Sequence, residues 1–364
     1  MKNKSDTNQE KIIDNYFFAF TNQEYLATIS AGAKWYANIN KLYKNILTVN
    51  HYNVIIKYLR ADNSFKPTKK NFYELVDKIF ENEIYIFNPI DFAGFLLCLP
   101  NLQEKIFYFL DHIKYIVIWQ EILLENFDIV GYQNSSKHRN YIFKFFNNSI
   151  LNIVSNSISI NSLEKNNIKH NKYFTITGYS LINNIIPFVN DIGYKDIDVF
   201  IYGTIHETYT YRNVLLSNLT NINNNKYNIQ TRSNLYGEQL DLMLKRTKLV
   251  VHIPSHPNLT HMPWPKITYL QAKKIFFIIE DNDELHQNNL DGFIICYHRN
   301  NIHDLFEKIE YFLKNEEFRK KNIDDNYDYI LKTANMDKVI PDIIKNLVID
   351  QTNILPIDQT NILP

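Results

Sequence analysis

At 364 residues, with 45% hydrophobic and 14% aromatic side chains, the chain can fill two globular cores, and a largely disordered protein is excluded. Lys+Arg and Asp+Glu balance at 39 each, so no long-range positive field exists to collect nucleic acid or anionic lipid, and neither is expected as a partner. The two cysteines, Cys98 and Cys296, lie far apart in apolar runs, which argues against a disulfide or zinc framework, implies a reducing compartment and predicts that both are buried.

In chain order, Met1 to Glu10 is polar and has no apolar run behind it that could serve as a signal peptide. Residues 1–20 are therefore read as an N-terminal extension and the location as cytoplasmic, the host cytoplasm of a virus included. Asp91 to Pro100 and Tyr115 to Leu124 are apolar but far shorter than the ~20 residues that span a bilayer, so no integral membrane segment is expected. Strands are predicted at Val54 to Leu59, Ile84 to Phe87, Tyr115 to Trp119 and Ile150 to Val154, with helices at Lys69 to Phe80 and Leu102 to His112. Apolar runs alternating with helical patterns are the mark of βαβ units, so the fold class is α/β with two Rossmann-like domains. The polar run through Ser155, Asn156, Ser157 and Ser159 marks the start of the crossing between them. The domains are drawn at 21–185 and 186–348.

Asp196 to Tyr202 opens the second half as a strand and stops at Gly203, one of only eight glycines. A glycine there permits a sharp turn and close approach of a ligand to the backbone. A helix at Glu207 to Leu219, a second from Gly237 to Lys245, and a strand at Leu249 to Ile253 follow. The long loop Pro254 to Pro265 carries His256, His261 and Trp264. Helix Lys266 to Ala272, strands Ile275 to Ile279 and Phe293 to Cys296, and helix Ile302 to Leu313 complete the unit. In that last helix Ile302, Leu305, Phe306, Ile309 and Leu313 share one face. Ile349 to Pro356 reads IDQTNILP and is repeated at Ile357 to Pro364, as expected of a disordered, duplicated tail over 349–364.

No zinc pattern, P-loop, nucleophile elbow or dinucleotide fingerprint occurs, and no metal or other cofactor is expected. His252 and His256 have helical ligand spacing, but His252 belongs to a strand and Pro254 separates the pair, so one helix face does not hold both. The series DVFIYG (198–203), GEQLDLMLKRTKLVVHI (237–253) and KITYLQAKKIFFIIE (266–280) resembles the C-terminal domain of GT-B glycosyltransferases, most like small viral and bacterial-type members of the group-1 superfamily. SNS (155–157) with TITGY (175–179) resembles the segment where such proteins leave their first domain.

The resemblance implies a nucleotide-sugar-binding domain from about Ile197 to Leu331. It implies a metal-independent transferase that moves a sugar to a glycan, protein or small-molecule acceptor. The matching donor-side positions are Gly203, Thr204, Arg212, Tyr236, Lys245, Trp264 and Lys266. Cations there would stabilise a departing diphosphate. Family members commonly carry a Glu at the start of the helix that bears the basic residue, whereas this chain reads HMPWPK (261–266), which puts His261 forward as the substitute. For an acceptor-side base Glu121 is preferred over Asp91 and His112, because it follows a strand and so lies where open α/β sheets bind ligands. The alternatives are a GT-B-like scaffold without catalysis, which the missing Glu favours, and a sugar epimerase of the same architecture.

Overall fold

The computed structural model describes residues 103–333 apart from 120, 130–134, 155, 173–194, 204–209, 234, 236, 258, 260, 288–289 and 291, together with the backbone of 15–19, 54–58 and 84–87. The described residues contain two parallel sheets. The first consists of β1 (Asn15–Ala19), β2 (Val54–Tyr58), β3 (Ile84–Phe87), β4 (Lys114–Trp119), β5 (Leu151–Val154) and β6 (Asn171–Lys172), in the order β2-β1-β3-β4-β5-β6. Its helices are α1 (Gln103–Asp111), α2 (Arg139–Asn148) and α3 (Ser157–Lys165).

The core under this sheet is aromatic. Tyr115, Val117 and Trp119 of β4 pack with Phe107 and Leu110 of α1, Phe145 and Phe146 of α2 and Leu163 of α3. Trp119 meets Phe146 edge-to-face at 4.9 Å, and Tyr115 stacks on Phe145 at 5.5 Å while its hydroxyl donates to the Phe145 carbonyl at 2.7 Å. That hydrogen bond lets a tyrosine lie fully buried, and each such ring adds ~1.5–3 kcal/mol of burial.

Two expectations need correction here. The N-terminal extension cannot run to residue 20, because Asn15–Ala19 is an interior strand paired in parallel with β2 and with β3. The run NYFFA lacks the alternation by which a half-exposed strand is read from sequence. The polar segment at 155–159 is likewise not the exit from the first domain. Asn156 caps α3, its side chain accepting from the Ser159 amide at 2.8 Å, and the chain then returns to the same sheet as β6. The passage to the second sheet falls between Lys172 and Ile197, and the boundary expected at 185–186 lies outside the described residues.

The second sheet is β7 (Ile197–Tyr202), β8 (Ile229–Arg232), β9 (Thr247–His252), β10 (Phe277–Glu280) and β11 (Ile295–Tyr297), in the order β11-β10-β9-β7-β8. Its helices are α4 (Thr210–Asn223), α5 (Gly237–Lys245), α6 (Trp264–Ala272), α7 (Asp283–Gln287), α8 (Ile302–Lys314) and α9 (Glu316–Thr333). Alternate residues of β9 serve opposite layers. Leu249, Val251 and Ile253 pack with Leu215 and Leu219 of α4 and Leu305 and Ile309 of α8, while Val250 packs with Leu244, Ile267 and Leu270. That period of two turns His252 toward the α6 layer. The predicted face of α8 is seen, with Leu305, Ile309 and Phe312 buried and Ile302, Phe306 and Leu313 half-buried against the same cluster. Cys296 is only half-buried, contrary to expectation; Cys98, the predicted helix 69–80 and the duplicated tail lie outside the described residues.

Candidate functional site

The order β8-β7-β9 means that the chain leaves β7 to one side for β8 and returns to the other for β9. Such a reversal opens a crevice at the C-terminal ends of the two strands, the standard ligand position of open α/β sheets. Residues from three parts of the chain meet there: Tyr202 and Gly203 behind β7 with Arg212 from α4, His252 and Ile253 at the end of β9, and His261 with Lys266 from the following loop and α6.

Lys266 Nζ donates to the Tyr202 carbonyl at 2.7 Å, stands 3.9 Å from the centre of the Tyr202 ring, and lies 3.3 Å from His252 Nδ1. Arg212 Nε donates to the Ile253 carbonyl at 2.9 Å. Burial holds the Lys266 amine well below the usual lysine range, and the Arg212 charge pushes the same way. His252 is likewise held well below the usual histidine range by burial, with Lys266, Arg212 and His261 adding to it. Burial brings His261 down to about 4, and its Nδ1 is buried without a hydrogen-bond partner. Cationic and imidazole groups are therefore gathered in a desolvated crevice, and among the described residues no carboxylate pairs with Lys266.

The described first turn of α6 offers no free amide to this crevice. In the first turn of α6 Trp264 N–H turns back to the Met262 carbonyl, Pro265 has no N–H, and the Lys266 and Ile267 amides both bond the Pro263 carbonyl. The helix has no side-chain cap and no acid in its first turn.

Gly203 is required by geometry. Its φ is +152°, and a Cβ built on it would stand 3.0 Å from an Arg212 guanidinium nitrogen. Gly203→Ala is expected to turn that guanidinium out of the crevice and to lower stability by about 1–3 kcal/mol through backbone strain, as read by denaturant unfolding.

Beside the crevice, Glu280 at the end of β10 is buried, accepting from the Tyr211 hydroxyl and from the Asn300 amide at 3.2 Å. Glu284, in the first turn of α7, is fully buried. It accepts from the Met262 amide at 2.6 Å, the Trp264 indole N–H at 3.3 Å and the Ser157 amide of α3 at 3.1 Å.

Of the positions singled out from sequence, Gly203, Arg212, His261 and Lys266 converge. Trp264 does not stack on a ligand: α6 starts two residues earlier than expected, and its ring is 3% exposed in the apolar cluster. Lys245 is exposed at the end of α5, immediately before β9 begins, which is the opposite end of the sheet. His112 is exposed and precedes β4, bonded to the Tyr108 carbonyl at 2.6 Å, so it too is at the wrong end of its sheet. Glu121 follows β4 at the C-terminal end, where its carbonyl accepts from Asn156 and Ser159 at 2.8 and 2.9 Å. Thr204, Tyr236 and Asp91 lie outside the described residues. His252 was considered only as a metal ligand; its place at a strand end was the signal for its role beside Lys266. Glu280 and Glu284 were missed, although Glu280 ends a strand in the same way. Among the described residues no group of three or more His, Cys, Asp or Glu is placed to hold a metal ion, and no helix is long and apolar enough to cross a membrane.

The imidazoles carry a stability prediction. The unfolded His261 takes up a proton near pH 6.5 and the folded one near 4, so between these values the unfolded state binds more protons. Stability is complete above pH 6.5 and falls as pH drops toward 4, by about 3 kcal/mol from this group. Urea unfolding at pH 7 and pH 4.5 checks it, and His261→Asn should flatten the dependence.

No protein family profile matches the chain, and no curated protein matches it. Solved structures do. The chain is similar to sucrose-phosphate synthase from Thermosynechococcus elongatus, with 8% identity and a TM-score of 0.62 over 93% of this chain and 99% of the other. It is similar to the β-glucosyltransferase of phage T4 in complex with its UDP-glucose substrate, with 13% identity and a TM-score of 0.55 over 92% of this chain and 99% of the other. The phage enzyme in complex with UDP and Mn2+ gives a TM-score of 0.54. Against TarM, with 14% identity and a TM-score of 0.49, the match takes in 76% of this chain and spans 58% of the other's length. The fold is that of the GT-B proteins, two parallel α/β units in one chain.

Proposed function

We propose that this GT-B chain is a glycosyltransferase that takes a sugar from a nucleotide-sugar donor, with the donor diphosphate held at the β7–β9 crevice. The observation that carries this is Lys266: a lysine in a desolvated site, beside a like-charged Arg212 and without a carboxylate partner among the described residues, is a group suited to an anionic ligand. Arg212 offers a planar fork suited to phosphate oxygens and Lys266 a point charge. Together they supply charge neutralisation to a leaving diphosphate, the task a metal ion performs elsewhere. His261, with an unpartnered nitrogen buried in the loop above, is positioned to meet the sugar or phosphate in place of an acidic side chain. Glu121 is the acceptor-side base in this reading. The acceptor is a glycan, a protein or a small molecule.

A thermal-shift screen with UDP, GDP, dTDP and their sugars tests the donor site directly. Stabilisation by one nucleotide series is expected; no shift with any of them would remove the reading. UDP-glucose is the first ligand to try, since the similar phage enzyme is solved with it.

A further inference from the structure

The start of α3 is bound on both sides. Toward the first sheet, Asn156 Nδ2 and Ser159 Oγ donate to the Glu121 carbonyl, Ser159 Oγ accepts from the Leu123 amide at 2.8 Å, and Ser162 Oγ donates to the Leu124 carbonyl at 2.8 Å. These bonds fix the segment that bears Glu121. Toward the second sheet, the Ser157 amide donates to Glu284, whose other hydrogen bonds hold Met262 and Trp264, the residues between His261 and Lys266. Hydrogen bonds and the short chain segments 156–157 and 261–264 thus connect the Glu121 segment to the crevice. Glu284, which accepts from residues of both halves, is 0% exposed, so water does not compete for it.

We infer that Glu284 is a positioning residue: it sets the 261–266 segment against the first half of the chain, so that the donor site and the Glu121 segment keep one register. This rests on the crevice being the donor site, while the joint itself can be tested without any donor.

Ser157→Pro is the sharpest probe. Ser157 is the first residue of α3, where proline is well accepted because that N–H has no partner within the helix. Asn156 before it is already extended (φ −126°, ψ 144°), as a residue preceding proline prefers. The substitution removes the N–H that Glu284 accepts and leaves the cap intact. Amide hydrogen exchange of the full chain should then show Met262, Trp264 and Lys266 exchanging at least ten-fold faster, with β9 and β10 protected as in the wild type. Ser157→Ala, which keeps the N–H, should leave exchange unchanged. Unaltered exchange in Ser157→Pro would overturn the inference.

A second readout separates positioning from simple structure. In Ser157→Pro, which leaves the Glu284 bonds to Met262 and Trp264 in place, donor turnover should fall about ten-fold in kcat and the UDP-glucose dissociation constant should rise less than in Glu284→Gln. Glu284→Gln, which frees the loop itself, should weaken UDP-glucose binding by ten-fold or more. Equal losses in affinity for both variants would also overturn it. Failure of the wild type to bind any nucleotide-sugar would remove the donor reading and leave the exchange result to decide the joint alone.

Discussion

Lys266→Met should weaken donor binding by roughly thirty-fold or more while leaving the protein folded. The substitution keeps the length of the side chain and its packing beside Tyr202, and it removes a charge whose burial is costly in the empty protein. Relief of that burial is offset by loss of the hydrogen bond to the Tyr202 carbonyl, about 1 kcal/mol, so the empty protein should melt close to the wild type. Against a diphosphate the same change deletes one of two close cations in a desolvated site. Losing such a contact costs about 2–4 kcal/mol, or roughly thirty- to a thousand-fold in affinity. Calorimetric titration of UDP-glucose into both proteins, with melting curves alongside, checks both halves of the prediction. A variant that binds like the wild type would take Lys266 out of the site. Arg212→Ala should weaken binding comparably, but with some loss of stability, because Arg212 also satisfies the Ile253 carbonyl.

The second large effect concerns pH. In the empty crevice Lys266 is held below its ordinary range by burial and by Arg212. A bound diphosphate reverses the balance and draws the group back up. Between its free and bound values, the complex therefore holds one more proton than the free protein. Affinity is full below the free value and declines as pH rises through the interval, by about ten-fold per unit where a whole proton is taken up. The phosphates of UDP-glucose do not titrate in this range, and the Lys266→Met variant separates the protein's proton from that of the uracil N–H. Titrations in two buffers of different ionisation enthalpy should show proton uptake on binding, which Lys266→Met should lack. Release of a proton, or no change, would contradict the arrangement.

These expectations rest on a site whose parts were unequally visible in the sequence. Gly203 and Lys266 were legible, because a strand that stops at glycine and a basic residue opening a helix are local signals. Arg212 was legible by the same route, one helix turn into α4. Trp264 was misread because α6 starts two residues earlier than the pattern suggested, and a ring in that first turn faces the core. Lys245 was misplaced although its position before β9, not after it, already put it at the far end of the sheet. Strand β1 was hidden by its polar leader and by its lack of alternation. Glu284 could not have been found: its partner Ser157 lies 127 residues away, and neither residue belongs to a local pattern. Local periodicity reports which elements form, whereas long-range pairing depends on how the elements stack.

The closed first turn of α6 has a consequence for related sequences. Sites that hold an anion on backbone amides tolerate nearly any side chain, and so conceal the loss of their function. Among the described residues, the proposed hold rests on the side chains of Arg212, His252, His261 and Lys266. Descent without selection for binding would erase it within a few substitutions, so a homologue that has become a mere scaffold should betray itself at these four positions while its strands and core remain intact.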